Sequence, residues 1–155
     1  MGGPDVKRLR VYIDTSVVGG CFDAAFARES RAIVKAARDG RFVLLLSDLL
    51  ADELADARPE IQNSLSDLLP DTFEEVFTGE ESERLREAYL EARVVGARHA
   101  TDAEHIALAT VSRADLVVSW NFKHIVHWEK IRGFNAVNLR EGYPPIEIRS
   151  PREVV

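Results

Sequence analysis

Three short runs of unbroken hydrophobic residues constrain this chain most: Val11-Tyr12-Ile13, Val43-Leu44-Leu45-Leu46 and Leu116-Val117-Val118. A strand with one wet face alternates apolar and polar residues. A continuous run needs cover on both faces, as in a parallel sheet between two helical layers. Phe73 to Phe77 is a weaker fourth candidate, interrupted by Glu74 and Glu75, and Ile146-Glu147-Ile148 beside Pro144 and Pro145 reads as a short edge strand. Helical patterns fill the gaps: Ala24 to Arg38, Asp48 to Ala57, Pro59 to Leu69, Glu81 to Val95, Thr101 to Arg113 and part of Glu129 to Glu141. Thr101-x-x-Glu104 reads as a capping box. The alternation predicts an α/β fold of three layers, with a central, mainly parallel sheet flanked by helices on both faces and right-handed crossovers. There is no repeat and no Gly/Ser/Pro-rich linker, and 155 residues lie near the ~150 of one domain. We expect a single domain over residues 1–155 with its core at about 10–150.

Composition narrows the function. With 46% hydrophobic and 30% charged residues the chain is neither disordered nor membranous. No apolar run approaches the ~18–20 residues of a membrane span, and Met1-Gly2-Gly3-Pro4-Asp5 carries no signal-peptide pattern. A single cysteine, Cys21, excludes an internal disulfide and a cysteine-cluster zinc site; it is expected as a small buried residue. These features predict a cytoplasmic protein without membrane contact. The net charge of −6 argues against non-specific coating of nucleic acid, which needs clustered Lys and Arg.

In open α/β sheets, sites form outside the carboxyl ends of the strands. Asp14-Thr15-Ser16 follows the first strand, and Ser119-Trp120-Asn121 follows the run that ends at Val118. Asp14 is either a helix N-cap or a site carboxylate on rigid backbone. At ~100° per residue, Glu53 falls on the inward arc marked by Leu49, Leu50, Leu54 and Ala57, while Asp48 and Asp52 point outward. A carboxylate there needs an Arg partner or a metal. Asp102 sits in the first turn of its helix, where acids suit the dipole, and shares a face with His105, Ile106 and Ala109. Three acids plus Asn121, with no Cys or His cluster at metal spacing, are hard oxygen ligands suited to Mg²⁺ or Mn²⁺. His124 and His127 read as surface or phosphate-facing residues. Ser16, Thr15 and Ser119 lack a fixed base partner, so a Ser-His-Asp triad is disfavoured. The glycines form no phosphate-cradling motif, which removes nucleotide-cofactor enzymes.

Tyr12-Ile13-Asp14-Thr15-Ser16-Val17-Val18, Asp52-Glu53-Leu54, Asp102-Ala103-Glu104-His105-Ile106-Ala107-Leu108-Ala109 and Ser119-Trp120-Asn121-Phe122-Lys123-His124 together resemble the PIN-domain family. Within it the likeness is to the VapC-type toxins of bacterial and archaeal toxin–antitoxin pairs, from about Arg10 to Val154. The resemblance implies a PIN-like fold and metal-dependent hydrolysis of RNA phosphodiester bonds. Asp14, Glu53 and Asp102 match the family's three main acids and would hold Mg²⁺ or Mn²⁺. Ser16 matches a frequent hydroxyl beside the first acid, with Thr15 supporting it. Asn121 stands where many members have a fourth Asp and would orient waters rather than add charge, so a tightly bound second metal is not implied. In the implied reaction hydroxide attacks in line and the 3′ oxygen leaves.

Lys123, His124, His127, Lys130 and Arg132 cluster just after Asn121 and either contact RNA phosphates or form a solvated helix face. The family implies a small antitoxin partner and a homodimer. Two rivals stand beside the ribonuclease. A haloacid-dehalogenase-type phosphotransferase would need an Asp where Ser16 stands. A PIN-like module that binds RNA or protein with little or no nuclease activity is favoured by Asn121 alone.

Overall fold

The computed structural model describes residues 7–155; Met1 to Val6, on which the signal-peptide reading rests, lie outside the described residues. Five strands form one sheet: β1 (Leu9–Ile13), β2 (Phe42–Ser47), β3 (Phe73–Val76), β4 (Leu116–Val118) and β5 (Glu147–Arg149). Their order is β3-β2-β1-β4-β5, and every neighbouring pair is parallel. The expected layered α/β architecture is therefore observed.

Strand periodicity sorts the core. Tyr12, Leu45, Val117 and Ile148 face one side, against α5 (Glu80–Glu91), α6 (Ala100–Val111) and α7 (Trp128–Arg140). Val11, Ile13, Leu44, Leu116 and Val118 face the other, against α1 (Thr15–Gly20), α2 (Ala27–Arg38) and α3 (Asp48–Leu54). Successive residues of each central strand thus enter opposite cores, which is why their apolar runs are unbroken. β3 lies at an edge, so Glu74 and Glu75 are tolerated there; Glu74 receives Arg10 Nε at 3.0 Å and Nη2 at 2.9 Å.

Several element boundaries differ from the sequence reading. The segment after Asp14 is a six-residue helix, α1, that the sequence pattern did not indicate. Pro59 to Leu69 is helical only over α4 (Pro59–Gln62); Ser64 and Ser66 then donate their hydroxyls to the carbonyls of Ile61 and Asn63, drawing the backbone into turns. α5 and α6 stop earlier than expected, and Arg93 and Arg113 just beyond them adopt left-handed backbone (φ 58°). The capping box is also corrected. α6 starts at Ala100 with His99 at its N-cap, so Thr101 lies inside the helix; Glu104 is buried and paired with Arg86 of α5.

β1 continues to β2 on one side, while β4 lies on its other side. That reversal creates a crevice beyond the carboxyl ends of β1 and β4, the place where doubly wound sheets hold ligands. Trp120 anchors the chain leaving β4: its indole donates to Ser30 Oγ at 2.7 Å and stacks on Phe26 with centroids 4.3 Å apart. Gly20 makes room for this packing, because a Cβ there would lie 2.4 Å from Ser30 Oγ and 2.9 Å from Trp120 Nε1. Gly20→Ala should therefore lower unfolding stability by about 1–3 kcal/mol, read from urea denaturation midpoints; an unchanged midpoint would show that the Trp120 anchor is not tightly packed.

Candidate active site

Asp14 is the last buried residue of the β1 run and occupies the N-cap position of α1, yet its side chain makes no capping hydrogen bond. Both oxygens are used elsewhere. Ser16 Oγ donates to Oδ1 at 2.5 Å, and Ser119 Oγ donates to Oδ2 at 2.6 Å. Each hydroxyl in turn accepts a backbone N–H from the loop after β4: Ser16 from Trp120 and Ser119 from Asn121, both at 2.9 Å. The capping alternative for Asp14 is thereby replaced by a carboxylate that ties the ends of β1 and β4 together. Burial raises the Asp14 pKa, opposed by the positive influence of His105 and by the two serine hydrogen bonds.

Glu53 departs from expectation. Its helix ends at Leu54, and its side chain is 39% exposed rather than buried. Its partner is neither an Arg nor another acid: His105 Nε2 lies 2.7 Å from Oε1. The His105 ring is buried, and its Nδ1 lies 2.6 Å from the Tyr12 hydroxyl. A neutral ring satisfies the chain when Tyr12 donates to Nδ1 and Nε2–H donates to Glu53. The His105 hydrogen bond holds the Glu53 pKa below the usual carboxylate range, while burial pushes that of Tyr12 upward. Thr15 Oγ1 lies near enough to Glu53 to assist, but it is buried without a partner of full hydrogen-bond geometry. Asp48, expected to face solvent, accepts from the Thr78 N–H at 3.0 Å and its hydroxyl at 2.6 Å.

Asp102 is the third residue of α6, half-buried on the face that also carries the buried His105, Ile106 and Ala109. Burial raises its pKa, opposed by His124 first and then by His105 and His99; the charge of Glu53 raises it further. Asn121 connects two elements here. Its Nδ2 donates to Asp102 Oδ1 at 3.2 Å, and its Oδ1 accepts the His124 N–H at 2.9 Å.

Asp14, Glu53 and Asp102 thus gather around His105, and the charge of Glu53 is felt at both aspartates. They are not in contact as a closed ligand set. Among the described residues, the trio whose donor atoms all lie within 4.8 Å of one another is His99, Asp102 and His124. The donor chemistry nevertheless fits Mg²⁺ or Mn²⁺: carboxylate and hydroxyl oxygens, a buried acid lacking a contacting cation, and the orphaned Thr15 hydroxyl.

Of the basic candidates, Lys123 and Arg132 are exposed, while His124, His127 and Lys130 are half-buried. His127 is partly occupied in structure, accepting the Glu129 N–H at 3.3 Å as the N-cap of α7. Two aromatics in the same stretch went unnoticed in the sequence: Phe122 and Trp128, 45% and 62% exposed. Arg132 lies over the Trp128 ring at 5.4 Å. Tyr12 and His105 were missed as a pair because they are 93 positions apart; the one available signal was the inward face that His105 shares with Asp102.

This is an all-parallel, five-stranded α/β sheet with carboxylates from separate elements placed near its switch point. The fold is similar to a chain in the crystal structure of VapBC2 from Rickettsia felis bound to a DNA fragment from their promoter: TM-score 0.57 and 12% identity, covering 92% of this chain and 98% of that one. At that identity the likeness is one of fold. No family model matches the sequence, and no curated protein matches it. Among the described residues, no helix is long and apolar enough to cross a membrane.

The buried carboxylate has a thermodynamic signature. With its folded pKa above the unfolded one, Asp14 holds its proton more tightly in the native state, so stability falls as pH rises from the unfolded value through the folded one. Asp14→Asn should raise the unfolding midpoint at pH 7, and this gain should shrink as pH falls through the raised folded value and vanish below about 4, where the carboxyl is protonated in both states. A variant less stable than wild type at pH 7 would contradict the assignment.

Proposed function

We propose that this chain is a metal-dependent ribonuclease, a VapC-like toxin that uses Mg²⁺ or Mn²⁺ to hydrolyse RNA phosphodiester bonds. The observation that carries this reading is the buried Asp14 carboxylate at the switch point, strapped by Ser16 and Ser119, with the charge of Glu53 acting on it and on Asp102. A protein keeps an ionisable group in so costly a position mainly where it has chemistry to do.

Asp14, Glu53 and Asp102 would hold the cation, whose charge would oppose the negative charge that builds on the phosphate during hydrolysis. Ser16 and Ser119 fix the direction of Asp14. His105, braced by Tyr12, turns one oxygen of Glu53 inward and leaves the other for use. Asn121 orients Asp102 and so serves position rather than charge. Lys123, Lys130, Arg132 and the histidines at 124 and 127 would meet RNA phosphates, with Phe122 and Trp128 offering faces for unstacked bases. Nucleic acid is then met through a local basic and aromatic surface despite the acidic total.

This reading extends to a single domain working in the cytoplasm, a small antitoxin partner and a homodimer. The likeness of fold to a chain of a VapBC2 complex supports the antitoxin. A second reading, a PIN-like binding module without nuclease activity, is favoured by one observation: each acid already has a protein partner, and Asn121 replaces a fourth charge.

Asp14→Asn should abolish RNA hydrolysis with the fold retained by circular dichroism, and a variant cutting RNA at the wild-type rate would overturn the enzyme reading. Mn²⁺ should bind saturably to wild type and lose affinity in Glu53→Gln; no binding at millimolar Mn²⁺ favours the module. Trp128→Ala should weaken binding of single-stranded RNA by about fivefold or more, one stacked base being worth ~1–3 kcal/mol; fluorescence anisotropy reads this, and unaltered affinity removes Trp128 from the RNA path.

A further inference from the structure

His99, Asp102 and His124 form a group of which the ribonuclease reading uses Asp102 as a cation ligand and His124 as an RNA contact, while giving His99 no role. His99 is the N-cap of α6, Asp102 lies one turn into that helix, and His124 comes from the loop after β4. The two imidazole rings stack with centroids 3.5 Å apart and planes 23° from parallel. His99 Nδ1 lies 3.7 Å from Asp102 Oδ2, and one donor atom from each of the three residues falls within 4.8 Å of the others. All three are half-buried. The sequence offered no metal-spaced histidine pair here, because its two histidines come from separate elements.

We propose that His99, Asp102 and His124 bind a borderline transition-metal ion of the Zn²⁺ class, at a site distinct from the oxygen-lined crevice but sharing Asp102 with it. Two imidazoles and one carboxylate suit Zn²⁺, whereas Mg²⁺ prefers oxygen alone. A first-row ion of this kind draws its donors to ~2.0–2.2 Å, so the trio must contract, which half-exposed side chains permit. The site is braced in advance. Asn121 accepts the His124 N–H and donates to Asp102, holding the loop and the helix in register. With three protein ligands, the ion would retain an open position.

Sharing Asp102 makes occupancy consequential. An ion held there withdraws that carboxylate from the crevice, so Zn²⁺ should antagonise Mn²⁺ binding; this consequence, unlike the site itself, rests on the ribonuclease reading.

The test is calorimetric titration of chelator-treated full-length protein with Zn²⁺, alongside the visible absorption of bound Co²⁺. We expect one Zn²⁺ per chain, affinity reduced at least about tenfold in both His99→Ala and His124→Ala, and a Co²⁺ spectrum that changes in each. His127→Ala should leave Zn²⁺ affinity unchanged. Asp14→Asn should keep Zn²⁺ while losing Mn²⁺, which separates this site from the crevice. Zn²⁺ affinity unaltered in folded His99→Ala and His124→Ala, or lost in Asp14→Asn, would overturn the proposal. Zn²⁺ binding as expected in a protein that never cleaves RNA would uphold the site and overturn the ribonuclease reading alone.

Discussion

The site depends on one buried carboxylate. Asp14 ends the central strand where the sheet reverses its order, and its two oxygens take hydroxyl hydrogen bonds from Ser16 on α1 and Ser119 after β4. Hydrogen bonds to a charged group contribute about 1.5–3 kcal/mol each, against a desolvation cost of several kcal/mol. The two serines lower that cost and convert it into geometry. Through them Asp14 also fixes the backbone of Trp120 and Asn121. The loop that carries Asn121, Phe122 and His124 is therefore positioned by the same carboxylate that opens the crevice.

Each of the other acids has a different brace. Glu53 is held by His105, which is fixed by Tyr12 from the sheet's central strand, and Asp102 by Asn121. The three carboxylates are thereby aimed by hydroxyl, imidazole and amide groups rather than paired with Arg. The arginines are spent elsewhere: Arg86 on Glu104, Arg10 on Glu74, Arg38 on Asp67. On the proposed reading, a crevice built this way leaves its negative field for a cation while each carboxylate retains a fixed direction.

The sheet was legible in the sequence because strands covered on both faces cannot alternate, and the runs at Val11, Val43 and Leu116 record that directly. Asp14, Asp102 and Asn121 were legible because they sit at strand ends or on a patterned helix. α1 was not, since Thr15–Gly20 has β-branched residues and two glycines and gains its helix from burying Val17 and Val18. The exposure of Glu53 was misjudged because its helix ends at Leu54, so Ala57 no longer marks an inward arc. Glu104 had a local partner by spacing, yet its real partner, Arg86, lies on another helix. Local pattern reveals which face a residue occupies; the partner it meets there is set by the crossing of distant elements, as with Tyr12, His105 and Glu53.

The most direct test of a cation-binding crevice at the switch point is to map where the cation sits. Fe²⁺ with ascorbate and peroxide cuts the polypeptide nearest the ion it generates radicals at. The account predicts fragments ending close to Asp14 and Glu53, suppressed by excess Mg²⁺ and absent in Asp14→Asn. Cuts confined to other parts of the chain, or cuts at Asp14 and Glu53 that persist in Asp14→Asn, would contradict it.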